Sequence, residues 1–220
     1  MTPKRVTLFA GHYGSGKTNI AVNYALHLKK NGYSVMIADL DIVNPYFRTK
    51  DSEDELKQEG IDLVCSQFAN TNLDIPSLPQ SVYRVVHDKD TYAVMDIGGD
   101  DAGAVALGRF APFLNEENNY EMLFVANFFR PLTRTAKEAY EVMREIEAVS
   151  SMKFTGIVNN SNLGEMTTAE DILSTQKYVD ELCQISSLPL MFTSVEQGLY
   201  DDINTEKENL FPLKLQNKYY

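Results

Sequence analysis

Gly11-His12-Tyr13-Gly14-Ser15-Gly16-Lys17-Thr18 fits G-x-x-x-x-G-K-[ST], the pattern of a loop that wraps a phosphate group. The flanking sequence suits it. Arg5-Val6-Thr7-Leu8-Phe9-Ala10 is β-rich and mostly apolar, and reads as a buried strand. Ile20, Ala21, Tyr24, Ala25 and Leu28 then recur at helical spacing, and Asn31-Gly32 is a stop signal. A strand, a glycine loop and a helix are the setting this motif needs.

The residue types follow from the chemistry. Gly11, Gly14 and Gly16 let the backbone curl so that several N–H groups face one anion. His12, Tyr13 and Ser15 complete the expected phosphate cradle, and the helix start adds partial positive charge. Lys17 is the expected cation for the β- and γ-phosphates. Thr18 offers a hydroxyl to Mg²⁺, which otherwise keeps several waters.

Composition narrows the class. The chain has 220 residues, 44% hydrophobic and 23% charged, which suits one globular domain over 1–220 with a core at about 4–195. No apolar run approaches the roughly 20 residues of a membrane span, and the first residues lack the apolar core of a signal peptide. A cytoplasmic location without membrane association is expected. Acidic residues number 31 against 20 Lys and Arg, a net charge of −11, which opposes direct binding to nucleic acid or anionic lipid. Cys65 and Cys183 are far apart and no histidine lies near either, so the spacing suggests no zinc site.

Further along, Ser34 to Ala38 reads as a strand ending in Asp39-Leu40-Asp41, which puts carboxylates at a strand's C-terminal end. Ser52 to Glu59 reads as a short charged helix or turn, and Ile61 to Val64 as a strand. Residues 66–79 form the longest irregular stretch, and Pro79 to His87 suggests a helix. Thr91 to Gly99 is an apolar strand ending in Asp96-Ile97-Gly98-Gly99, the form of a second Mg²⁺-associated motif. Asp100 to Asn115 is expected to be helical, with Val105, Leu107 and Phe110 inward and an end near Pro112. Glu121 to Asn127 is a strand. Ala136, Ala139, Tyr140, Met143 and Ile146 mark an amphipathic helix whose wet face carries Lys137 and Glu141.

Phe154 to Val158 is a strand leading into Asn159-Asn160-Ser161-Asn162. Thr167 to Glu170 has capping-box spacing ahead of a helix carrying Ile172, Leu173, Val179, Leu182 and Cys183. Leu188 to Phe192 is a last strand. In the tail at about 198–220, Leu210 to Leu215 alternates and contains Pro212, which favours an edge strand or docked tail over a membrane helix. Strands alternate with helices, so the expected class is α/β, a P-loop NTPase fold with a mostly parallel sheet and helices on both faces.

The order glycine loop, Asp-x-Asp at 39–41, Asp96 with Gly98-Gly99, then Gly156-Ile157-Val158-Asn159-Asn160 resembles the ParA/MinD-like ATPases, the CobQ/CobB/MinD/ParA group. The resemblance implies that Lys17 and the loop amides hold the phosphates and that Thr18 ligates Mg²⁺. It implies that Asp41 positions the attacking water or contacts the metal shell, and that Asp96 acts on Mg²⁺. Asn160 matches an adenine-reading asparagine. An amide can accept from the exocyclic amine and donate to the ring nitrogen, and no [NT]-K-x-D guanine signature occurs here, so ATP is favoured over GTP. Asn159 and Asn160 also read as plain turn residues.

The chain departs from that group at His12, where many members carry a second lysine that reaches a dimer partner's phosphates. A histidine is no permanent cation. Arg48 and Arg130 are candidates for the missing charge, or solvated surface arginines. No cysteine occurs in residues 97–103, just after Asp96, so an iron–sulfur cluster is not expected. Asp100 and Asp101 read as a helix start or as extra metal-shell groups.

The reading is a Mg·ATP-dependent switch with slow ATPase activity, dimeric when ATP-bound, that acts on an unidentified protein partner. An ATP-dependent carboxylate ligase of the dethiobiotin-synthetase type is one alternative, with Tyr46, Phe47 and Arg48 lining an acid pocket. A nucleotide-binding module without hydrolysis is another. A DNA-segregation role is disfavoured by the acidic balance.

Overall fold

The strand ahead of the glycine loop is β1 (Val6–Ala10), buried along its whole length. Alternate strand residues face opposite sides of a sheet. Val6, Leu8 and Ala10 accordingly join one hydrophobic cluster and Phe9 the other. A strand covered on both faces is largely apolar, which is why this one reads as a run rather than an alternation, broken only by buried Thr7.

The computed structural model describes residues 2–40, 52–65, 80–99, 101–203 and 209–215. After β1 come α1 (Lys17–Lys30), β2 (Val35–Leu40), α2 (Glu53–Gln58), β3 (Asp62–Cys65), α3 (Arg84–His87) and β4 (Tyr92–Ile97). Next are α4 (Asp101–Gly108), α5 (Ala111–Glu117), β5 (Tyr120–Ala126), α6 (Ala136–Ser150) and β6 (Gly156–Asn159). The chain continues through α7 (Ala169–Ser174), α8 (Gln176–Ser186), β7 (Leu190–Glu196), α9 (Tyr200–Ile203) and β8 (Leu210–Leu213).

The strands form one eight-stranded sheet in the order β3-β2-β4-β1-β5-β6-β7-β8, and every pairing is parallel. Ile20, Ala21 and Ala25 of α1 pack with Leu56 of α2 on the Phe9 face. Leu107, Phe110, Met143 of α6 and Val179 and Leu182 of α8 cover the other. This is the α/β arrangement with helices on both faces. Among the described residues, no helix is long and apolar enough to cross a membrane.

Arg5 anchors the lower end of the sheet. It is 5% exposed, donates to the carbonyls of Val85 and Asp88 at 2.9 Å each, and forms an ion pair with Glu117. Its Nη2 reaches Glu117 Oε2 at 2.6 Å.

Several boundaries depart from expectation, each for a local reason. The helix expected over 100–115 is two helices, α4 and α5. Pro112 lies in the first turn of α5, where its missing N–H costs nothing, so it opens a helix instead of closing one. Leu107 and Phe110 are fully buried, but Val105 is 54% exposed. The capping box before α7 is Thr168 with Asp171, one residue later than the Thr167–Glu170 spacing suggests. The helix expected through Cys183 breaks at buried Thr175, whose Oγ1 donates to Ile172 O at 2.7 Å. Residues 80–83 form a tight 3₁₀ turn ahead of α3. The tail does supply an edge strand, β8, paired to β7. Lys137 and Glu141 do meet on the exposed face of α6, at 3.9 Å.

Candidate functional site

The glycine loop leaves β1 at Gly11 and enters α1 at Lys17. Gly16 is the residue before the helix, with φ +89°, and a methyl there would lie 2.2 Å from Asn160 Nδ2. Only glycine satisfies both the left-handed backbone and the close approach. Because Gly16 has no side chain to cap α1, the first helical N–H groups keep no side-chain cap. Such a terminus attracts anions.

The rest of the loop is drawn tightly together. Ser15 N donates to His12 O at 3.1 Å, and Lys17 Nζ reaches the same carbonyl at 3.1 Å. Lys17 is 5% exposed and Thr18 9%. Ser15 is fully buried, and its Oγ has no hydrogen-bond partner among the described residues. His12 Nδ1 donates to Tyr13 O at 2.8 Å, which turns the imidazole back onto its own loop. Tyr13 itself is 55% exposed.

Gly99, just after β4, closes the other wall. A methyl there would sit 2.6 Å from Tyr13 N and 2.8 Å from Lys17 Nζ. The second aspartate motif is thus packed directly against the first glycine motif. Asp96 is 1% exposed. Its register partner on β2 is Asp39, 5% exposed, so two carboxylates lie side by side at the sheet's C-terminal edge. Carboxylate oxygens so placed are of the type that Mg²⁺ takes as ligands. Asp39 and Asp41 belong to one Asp-x-Asp, and the strand register, which local sequence does not encode, is what sets Asp39 beside Asp96. Asp41, Arg48 and Asp100 lie outside the described residues, as do Tyr46 and Phe47.

Asn160 is 4% exposed and braces the loop from β6. Its Nδ2 donates to Ser15 O at 2.6 Å, and its Oδ1 accepts from Ser194 Oγ at the end of β7. One N–H and one lone pair of the amide remain. Asn159 is committed differently: its Nδ2 donates to Thr175 Oγ1 at 3.1 Å, and its Oδ1 accepts from Ser161 Oγ at 2.7 Å. Both asparagines are therefore structural hubs. No local pattern points to Ser194, because its role depends on β7 lying beside β6.

A cavity of about 140 Å³ opens next to Gly16, between Asn19, Asn160, Asn162, Glu165 and Ile172. Its size is close to the ~150 Å³ that admits a benzene-sized ring. Beside it, Glu196 Oε2 accepts from Gly198 N at 2.9 Å. Among the described residues, no group of three or more His, Cys, Asp or Glu side chains is placed to hold a metal. Mg²⁺ in a nucleotide site needs only one or two protein oxygens beside the phosphates. Thr18, Asp96 and Asp39 can supply that number.

No protein-family model matches the chain, and no curated protein matches it. Its likeness is to solved structures. Chloroplast FtsY from Physcomitrella patens superposes with a TM-score of 0.62 and 22% identity, covering 91% of this chain and 61% of that one. FtsY from Mycoplasma mycoides gives 0.58 and 18%, covering 86% and 59%. The signal recognition particle 54 kDa protein from Aeropyrum pernix K1, in complex with GDP, gives 0.55 and 16%, covering 88% and 41%. The chain thus spans about three fifths of the first two structures and about two fifths of the third. Identities this low speak to fold alone. The ParA/MinD-like resemblance is supported only at that level, since these neighbours are signal-recognition-particle proteins. The fold is that of the P-loop NTPases.

Proposed function

We propose that this chain binds a purine nucleoside triphosphate with Mg²⁺, in the first instance ATP, and acts as a slow, nucleotide-dependent switch. The observation that carries the reading is the uncapped start of α1 beside buried Lys17, walled by Gly99. Backbone amides and an ammonium lie together there, and among the described residues no side chain caps the helix start.

In this reading the loop amides from Gly11 to Thr18 bind the phosphates, and Lys17 exchanges the His12 carbonyl for phosphate oxygens. Thr18, Asp96 and Asp41 would hold Mg²⁺, with Asp39 beside them. The metal supplies charge neutralisation when bound. Asp41 orients water for attack on the terminal phosphate, a role carried over from its sequence motif. The cavity at Gly16 and Asn160 receives the purine, and Asn160 offers it the remaining N–H. Preference for ATP rests on the absence of the guanine signature after β6.

A partner surface is supported by exposed apolar side chains at this edge: Tyr13 in the loop, Leu132 after β5, and Leu163 and Met166 after β6. ATP-dependent self-association or capture of another protein would cover them. A second reading, nucleotide binding without turnover, is favoured by the His12 ring being tied to Tyr13 O rather than extended outward.

Calorimetry with Mg·ATP and Mg·GTP, alongside phosphate release, tests the proposal. Binding with ATP preferred, lost in Lys17→Ala, is the expected result. Equal behaviour of Lys17→Ala and the parent protein would end it. Light scattering with a nonhydrolysable ATP analogue reads the switch, and binding with no phosphate release at high protein concentration selects the second reading.

A further inference from the structure

Position 12 leaves the glycine loop without the extra lysine of the resembling group, and Arg130 stands where it can take over. The loop after β5 is pinned from several sides. Asn127 is fully buried; its carbonyl accepts from Thr133 Oγ1 at 2.7 Å and from Arg130 N at 3.2 Å, and its Oδ1 accepts from Phe129 N at 3.0 Å. Phe128 N donates to Ser161 Oγ at 3.0 Å. The backbone at Arg130 is therefore fixed relative to β6.

The side chain lies across the glycine loop. A methyl at Gly14 would be 3.7 Å from Arg130 Nε and 3.9 Å from its Cδ and Cζ. Among the described residues, the guanidinium has no ion-pair partner. Its Nε is shielded from solvent and has no hydrogen-bond partner there either. A desolvated donor left unmade is costly, and guanidinium is built to fork onto oxyanions. On the loop the guanidinium lies beside Gly14, near backbone amides and the start of α1 that favour the same kind of ligand, an anion.

The approach is two-sided. Lys17 Nζ rests against Gly99 after β4, whereas Arg130 arrives from the loop after β5. β4 and β5 flank β1 on opposite sides. We infer that Arg130 is a second phosphate-binding cation, supplied by the same chain, that bonds polyphosphate oxygens on the β5 side of the glycine loop. This rests on the nucleotide reading of that loop. It makes cation supply from a second copy unnecessary at this position.

The test titrates the full chain, Arg130→Gln and Arg130→Lys with Mg·ATP and with inorganic tripolyphosphate, and records melting temperatures without ligand. Arg130→Gln is expected to weaken both ligands by about tenfold to a hundredfold, the worth of a charge-assisted fork. Arg130→Lys recovers part of the loss, and ligand-free melting stays where it was. Tripolyphosphate affinity unchanged in Arg130→Gln, in a parent that binds it, overturns the assignment and leaves the nucleotide reading standing. Melting lowered with affinity intact makes Arg130 a structural residue and overturns it equally. A parent that binds neither ligand removes both.

Discussion

Replacing Asn160 with alanine separates a loop brace from a mere reader of bases. The side chain is 4% exposed and joins Ser15 O on one side to Ser194 Oγ on the other. Removal strands the Ser15 carbonyl inside the protein, a penalty of about 1–3 kcal/mol. Ser194 fares better, because its hydroxyl also reaches Asn159 O at 3.3 Å. Loss of packing around the deleted amide adds to this, so about 3 kcal/mol is a reasonable total. In a chain of this size that lowers the melting temperature by roughly 6–12 °C, at about 2–4 °C per kcal/mol. Ser194→Ala should cost only about 1 kcal/mol. The double variant should fall short of the sum, because one hydrogen-bonded chain is cut at two points. Scanning calorimetry of the nucleotide-free protein is the assay, since a base reader has nothing to read there. If Asn160→Ala melts with the parent protein, or the two substitutions simply add, the brace does not exist.

Two further outcomes follow from the same geometry. Gly99→Ala forces a methyl to within 2.6 Å of Tyr13 N and 2.8 Å of Lys17 Nζ. Phosphate release should drop about a hundredfold with circular dichroism unchanged, as expected when reacting groups shift by ~1 Å, and parent-like turnover would contradict the close packing. At the opposite end of the sheet, the hydrogen bond from Arg5 holds the Glu117 carboxyl below its ordinary value, and Lys89 assists. A lowered folded-state value stabilises the protein above the unfolded value of about 4.3 and loses that contribution as pH falls through the folded one. The gap in urea stability between the parent protein and Glu117→Gln should be full near pH 7 and close in acid. A gap that stayed constant down to about pH 2 would show that the charge is not what matters.

Local and non-local information divide sharply in this chain. The glycine loop was legible because its constraints are local: left-handed turns need glycine, and an anion cradle needs a helix start. β1 and β4 were legible because strands buried on both faces are mostly apolar runs. The capping box slipped by one residue because Thr167 and Thr168 each have an acidic residue three positions on, and local spacing cannot choose between them. Val105 reads as inward only if one helix runs over 100–115, and the chain forms two there. Ser194 and Arg130 were beyond local reading for another reason. Ser194 reaches Asn160 only because β7 adjoins β6, and Arg130 reaches Gly14 only because β5 adjoins β1. Strand order is a property of the whole chain, and no window of sequence encodes it. The motif therefore specifies one cation and the topology delivers another, so a second arginine or lysine after the strand beside β1 is the place to look when a loop of this type lacks its own.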